Sequence, residues 1–168
     1  DAMGPNLLPS YARKFGLGQL TGIQGLDELP GLVPDAKWKD EHPDAVSNRF
    51  WTAQDAVNLA IGQGYLLVTP LQAARLAAAV GNGGILYRPR IVRQIMSLSG
   101  TDTIVFETTE VGRLPVSAEH LAVIRESLRR VCMSPRGTAY PAFEGVQVPM
   151  AGKTGTAETG REDTHAWF

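Results

Sequence analysis

Near the end of the 168-residue chain, Lys153-Thr154-Gly155-Thr156 places a cation, hydroxyls and a bare backbone on consecutive residues. On a strand, alternation sends Lys153 and Gly155 to one face and Thr154 and Thr156 to the other. Such an edge can bind a carboxylate through Lys153 and a hydroxyl, while Gly155 lets a substrate backbone lie close alongside. The backbone N–H of Thr156 can then face a developing oxyanion. A Lys-Thr-Gly tripeptide arises by chance in roughly a few per cent of chains this long, so the motif needs independent support. Its rival chemical reading is a phosphate-binding loop, because Gly152-Lys153-Thr154 matches the end of Gly-x-x-x-x-Gly-Lys-Thr. That pattern demands glycine where Gln147 stands, and Gly155 and Gly160 fall where a helix should follow, which argues against a nucleotide site.

Little else competes for chemistry. His42, His120 and His165 are far apart, and none forms a His-x-x-x-His pair, so neither a metal nor any other cofactor is expected. Cys132 is the single cysteine, which excludes an intrachain disulfide and a thiolate cluster. A net charge of −1 supplies no positive field for nucleic acid. No apolar run approaches the ~20 residues needed to cross a bilayer, and the first residues lack the pattern of a signal peptide. Any membrane anchor or export signal is therefore expected outside these residues.

The elements that must carry the motif follow from periodicity and punctuation. Leu8, Tyr11, Ala12 and Phe15 recur at helical spacing before Gly16, which predicts a short opening helix. Residues 25–48 contain Pro30, Pro34 and Pro43 among glycines and charges, which reads as a long surface excursion pinned by Trp38. The strongest helix runs from Thr69 to Val80, with Thr69 as N-cap, Pro70 in the first turn and Gly81-Asn82-Gly83-Gly84 as the stop. With only Gln72 and Arg75 polar, it is expected to be buried on nearly every side as the central helix. Residues 90–96 and 103–107 read as a hairpin turning at Ser99-Gly100-Thr101-Asp102. Ser117 to Cys132 reads as a surface amphipathic helix with Leu121, Ile124, Leu128 and Val131 on its apolar face. A short helical or turn segment at 138–143 precedes a strand expected over Val146–Thr156. Gly160–Asp163 then turns the chain into a second strand over Thr164–Phe168. The class is α+β.

The stretch Met150-Ala151-Gly152-Lys153-Thr154-Gly155-Thr156-Ala157-Glu158 resembles the third active-site motif of penicillin-binding transpeptidases, a superfamily marked by Lys-Thr-Gly. Residues 58–72, with Gly62-Gln63-Gly64-Tyr65 and Thr69-Pro70-Leu71-Gln72, independently resemble the family's lead-in to a buried helix. Further similarity lies in Tyr11–Gly18, Gly31–Pro34, Gly137-Thr138-Ala139 and His165–Phe168. Most of the chain is thus covered, and the combination looks most like class B, the monofunctional enzymes, of the type serving cell elongation. Ala53-Gln54-Asp55 departs from the Pro-Gly-Glu or Pro-Gly-Asp that elongation-type enzymes often carry there, so the loop is expected to differ in shape.

The family reaction needs Ser-x-x-Lys and Ser-x-Asn, both upstream of Lys-Thr-Gly. Residues three beyond Ser10, Ser47, Ser97, Ser99, Ser117, Ser127 and Ser134 include no lysine, and residues two beyond include no asparagine. Ser10 with Lys14 can meet on a helix, yet that segment matches a non-catalytic stretch of the family. Ser117 with His120 is explained by capping. Gln63 and Tyr65 read as support for the helix entry, and His165 and Trp167 as ordinary strand residues.

The resemblance therefore implies that residues 1–168 are the C-terminal part of a transpeptidase domain. Its parent would be anchored on the outer side of a bacterial plasma membrane and would cross-link peptidoglycan stem peptides ending in D-Ala-D-Ala. Implied partners are those peptides, β-lactams, the upstream half of the domain and other elongation proteins. Lys153, Thr154, Gly155 and Thr156 would bind substrate, with Lys153 and the Thr156 N–H catalytic. The readings held against this are a β-lactamase or β-lactam sensor, and a non-catalytic module of a cell-wall assembly. The fragment reading further predicts uncovered apolar surface.

Overall fold

A computed structural model of the chain describes residue 4 and residues 6–101, 103–158 and 163–168. Six helices and six short strands alternate along them: α1 (Leu7–Lys14), α2 (Ala36–Glu41), α3 (Ala53–Ala60), α4 (Pro70–Gly81), β1 (Ile85–Tyr87), β2 (Gln94–Met96), β3 (Thr103–Val105), β4 (Glu110–Arg113), α5 (Ala118–Met133), α6 (Tyr140–Phe143), β5 (Gly155–Ala157) and β6 (His165–Trp167). The strands form three antiparallel pairs, β1 with β4, β2 with β3 and β5 with β6. This is the expected α+β mixture.

α4 starts where its punctuation says it should. The Thr69 hydroxyl accepts from the Gln72 N–H, the Gln72 side chain accepts from the Thr69 N–H, and Pro70 occupies the first turn. Its Ala79 and Val80 join Leu86 of β1, Leu114 just after β4 and Leu121 of α5 in the core, with Phe15, Leu76, Val116 and Leu128 packed around them. The burial of α4 is one-sided, however, and in part the reverse of what its composition suggests. The polar Gln72 and Arg75 are buried, at 1% and 8% exposure, while Ala74, Ala77 and Ala78 stand exposed. The reason lies in the excursion. Gln72 Nε2 donates to the carbonyls of Gln19 (2.7 Å) and Pro30 (2.8 Å), and Arg75 donates to those of Gly16 (2.8 Å) and Thr21 (3.3 Å). Loop carbonyls that no strand or helix satisfies are thus answered by a helix side.

Residues 25–48 contain more order than their prolines suggest. Asp35 Oδ1 accepts from the Trp38 N–H at 2.8 Å, capping the short α2, and a 3-10 turn follows at Pro43–Ala45. Trp38 does pin this segment, stacked on His42 and set against Tyr65 with ring centroids 5.2 and 5.3 Å apart. The departing stretch Ala53-Gln54-Asp55 opens helix α3. Thr52 and Asp55 form a capping box there, with the Thr52 N–H donating to Asp55 Oδ2 at 2.7 Å.

The hairpin predicted from residues 90–96 and 103–107 forms with shorter strands, β2 and β3, and pairs Ile95 with Ile104. Strands β1 and β4, which carry no strong periodic signal, pair across a bulge and bracket α4 against α5. The strand expected over Val146–Thr156 shrinks to Gly155–Ala157. Before it, Pro149 has no amide to offer, and the Gly152 N–H donates to Leu128 O of α5 at 3.2 Å instead of to a strand. The turn expected at Gly160–Asp163 falls largely outside the described residues, while β6 forms within the predicted Thr164–Phe168 strand.

Candidate active site

Strand β5 brings the Lys-Thr-Gly-Thr segment to an edge supported by β6, with Gly155 opposite Trp167, Thr156 opposite Ala166 and Ala157 opposite His165. Gly152, at the entry, lies against Phe168 so closely that a Cβ there would come within 2.3 Å of the ring. That ring in turn packs on Phe143, centroid to centroid 5.3 Å. An added Cβ at Gly155 would meet only Trp167 Cβ at 3.5 Å, an ordinary contact. Nothing in the described fold therefore demands glycine at 155, whereas a backbone lying alongside the strand would.

Lys153 faces an apolar groove of about 1090 Å³ whose walls are the alanine side of α4, the Ala122–Arg129 stretch of α5, and Trp167 with Phe168. Its side chain is exposed and donates to the Thr154 carbonyl. Among the described residues no carboxylate forms an ion pair with it. The hydroxyl of Thr154 meets that of Thr138 at 3.2 Å, and Gln63 Nε2 donates to the Thr156 carbonyl at 3.3 Å. The four motif residues thus stay together, Lys153 and Thr154 leading into β5 and Gly155 and Thr156 within it, beside a largely apolar groove. Thr138 and Gln63 are further members. For Gln63 the structure replaces a role at the helix entry with contact on the strand.

The loop carrying Gln63 is held by a buried ion pair. Lys39 Nζ lies 2.8 Å from Asp55 Oδ2 and 3.0 Å from Phe50 O, with side-chain exposures of 3% and 11% for the two partners. Lys39 also stands 5.7 Å from the centre of the Tyr65 ring. Burial pushes the Asp55 carboxyl up, but hydrogen bonds from Lys39 and Thr52 outweigh it and hold the group below its ordinary range.

Gly137 sets the other approach to the strand. An added Cβ would sit 2.2 Å from Val131 O and 2.3 Å from Arg130 O, both backbone atoms of α5. We expect Gly137→Ala to cost about 1–3 kcal/mol, lowering the thermal midpoint by roughly 5 °C and loosening Thr138 from Thr154. Thermal denaturation followed by circular dichroism checks this, and an unchanged midpoint would refute the close approach.

A mixed α+β fold with helices packed on antiparallel strands is the class of fold that penicillin-binding transpeptidases share. The family described as penicillin binding protein transpeptidase domain matches residues 1–168, and the chain belongs to it. It is a class B transpeptidase region, resembling the MrdA and PBP2 type. It is 27% identical to the peptidoglycan D,D-transpeptidase MrdA of Salmonella typhimurium over 93% of this chain and 24% of that protein. Against penicillin-binding protein PbpB of Mycobacterium tuberculosis the identity is 34%, over 93% of this chain and 21% of that one. The structure of Helicobacter pylori PBP2 in complex with MreC superposes with a TM-score of 0.79 at 28% identity, covering 99% of this chain and 29% of that one. The chain thus spans about a quarter of the length of these relatives.

Proposed function

We propose that these residues form the substrate-carboxylate and oxyanion side of a peptidoglycan D,D-transpeptidase active site whose nucleophilic serine lies in a segment outside residues 1–168. The observation that carries this reading is the Lys153 ammonium, exposed beside an open strand edge and an apolar groove, with no ion pair to a carboxylate of its own among the described residues. Lys153 attracts the terminal carboxylate of the donor stem peptide and assists proton transfer, with the hydroxyls of Thr154 and Thr156 as hydrogen-bond partners. The serine oxygen attacks the penultimate D-alanyl carbonyl. The resulting oxyanion is held by the Thr156 N–H together with the N–H of that serine. D-alanine leaves with a proton, and an amine of a second stem peptide then attacks the ester to form the cross-link and release the serine. β-Lactams acylate the same serine.

On α5, Val123 at 61% and Ile124 at 37% exposure offer apolar surface for the segment that brings the serine. The likeness to a PBP2 solved in complex with MreC supports protein partners in cell-wall synthesis; service in cell elongation and a parent anchored at the plasma membrane belong to the same proposal, and no helix among the described residues is long and apolar enough to cross a membrane. Labelling with a fluorescent penicillin tests the whole reading. The full-length protein is expected to label stoichiometrically and the 168-residue chain not at all. A covalently labelled 168-residue chain, or an unlabelled full-length protein, would sink it.

A further inference from the structure

The carboxamide of Gln63 reaches the Thr156 carbonyl from 93 residues away, and the local backbone is built to send it there. Gly62 and Gly64, on either side, adopt φ of 75° and 76°, a left-handed region that strains any other residue. The Gln63 N–H donates to Asn58 O at 2.7 Å and the Gly62 N–H to Leu59 O at 3.1 Å, tying the turn to the end of α3. Tyr65, two residues on, is held by Trp38 and Lys39. The entry to α4 does not need Gln63, because Thr69 and Gln72 already satisfy each other there.

The strand it touches needs outside support. β5 has three residues and pairs among the described residues only with the three-residue β6, and a two-stranded ladder is marginal alone. In an antiparallel pair a residue sends its N–H and C=O to the same edge, so a bond that fixes the Thr156 carbonyl also bears on where its N–H points. We infer that Gln63 is a positioning residue, holding the Thr156 backbone so that its N–H stays aimed at the reacting carbonyl.

This inference rests on the transpeptidase reading for its chemistry, though not for its structural half. In the full-length protein, Gln63→Glu keeps the shape and removes the donor, while Gln63→Ala removes both. Each is expected to leave the thermal midpoint and the reversible affinity for penicillin unchanged. The acylation rate constant should fall about five- to tenfold, and amide hydrogen exchange in the peptide covering residues 153–158 should quicken. A loss in affinity alone, a loss tracking a lower midpoint, or wild-type exchange in Gln63→Glu overturns the role. Exchange is read without turnover, so it decides the matter even in a protein that no penicillin labels; absent labelling of the wild type would instead overturn the transpeptidase reading.

Discussion

Replacing Lys153 with alanine in the full-length protein is expected to slow acylation by a fluorescent penicillin by about 10²-fold to 10³-fold, with the thermal midpoint unchanged. The size follows from what the side chain does in the fold and what it would do for a substrate. Among the described residues its side-chain hydrogen bond goes to the carbonyl of the next residue, and it is exposed, so removing it leaves no buried group of that fold unpaired. A substrate carboxylate, by contrast, would lose its charge-assisted partner on the strand edge. Lys153→Arg should recover only part of the rate, because a planar guanidinium cannot occupy the same point as an ammonium. Stopped-flow labelling over a range of penicillin concentrations separates affinity from acylation, and wild-type kinetics in the alanine variant would remove Lys153 from the site.

The second large effect is on stability. Lys39→Ala leaves the Asp55 carboxylate, 11% exposed, without its cation, and breaking a buried pair from one side costs about 3–5 kcal/mol. The midpoint should fall by roughly 10 °C or more. The loop bearing Gln63 should loosen with it, since Lys39 also supports Tyr65. The pH dependence has a definite sign. The folded carboxyl of Asp55 titrates below its unfolded value, so the unfolded chain binds more protons in that window. Its stabilisation is present above the unfolded pKa of about 4 and is lost as pH falls through the lower, folded one. Lys39→Ala should remove much of this acid sensitivity. Urea midpoints measured between neutral and acid pH for both proteins check it, and parallel curves would show that the pair contributes nothing.

What could be read from the sequence was whatever is written locally. Thr69-Pro70 with Gln72, Ser117 ahead of an amphipathic run, and the Ile-rich strands around Gly100 each carry their cause within a few residues, and each element appears close to where it was expected. The Lys-Thr-Gly-Thr segment was legible because its four residues are consecutive, although only Gly155 and Thr156 lie within the observed strand. α2 and α3 were not, although Asp35 and the Thr52-x-x-Asp55 capping box were visible: α2 has only six residues between Pro34 and Pro43, and α3 has only eight, read as a loop that departs from the family pattern. β1 and β4 pair through a bulge, and the contact between Gln63 and Thr156 depends on the whole intervening fold. Gln72 and Arg75 look like interruptions of an apolar helix until the loop they serve is in place.

Those two side chains also order events in time. The carbonyls of Gly16, Gln19, Thr21 and Pro30 are claimed by residues 42 to 59 positions later in the chain. Those four carbonyls therefore lack these side-chain donors until α4 exists and has docked. Closing loops of that length before any bond rewards them is the slow kind of contact, whereas α4 itself can form from its own caps. The four bonds from Gln72 and Arg75 are thus expected to form after α4 itself and to be among the first contacts of residues 16–30 to open.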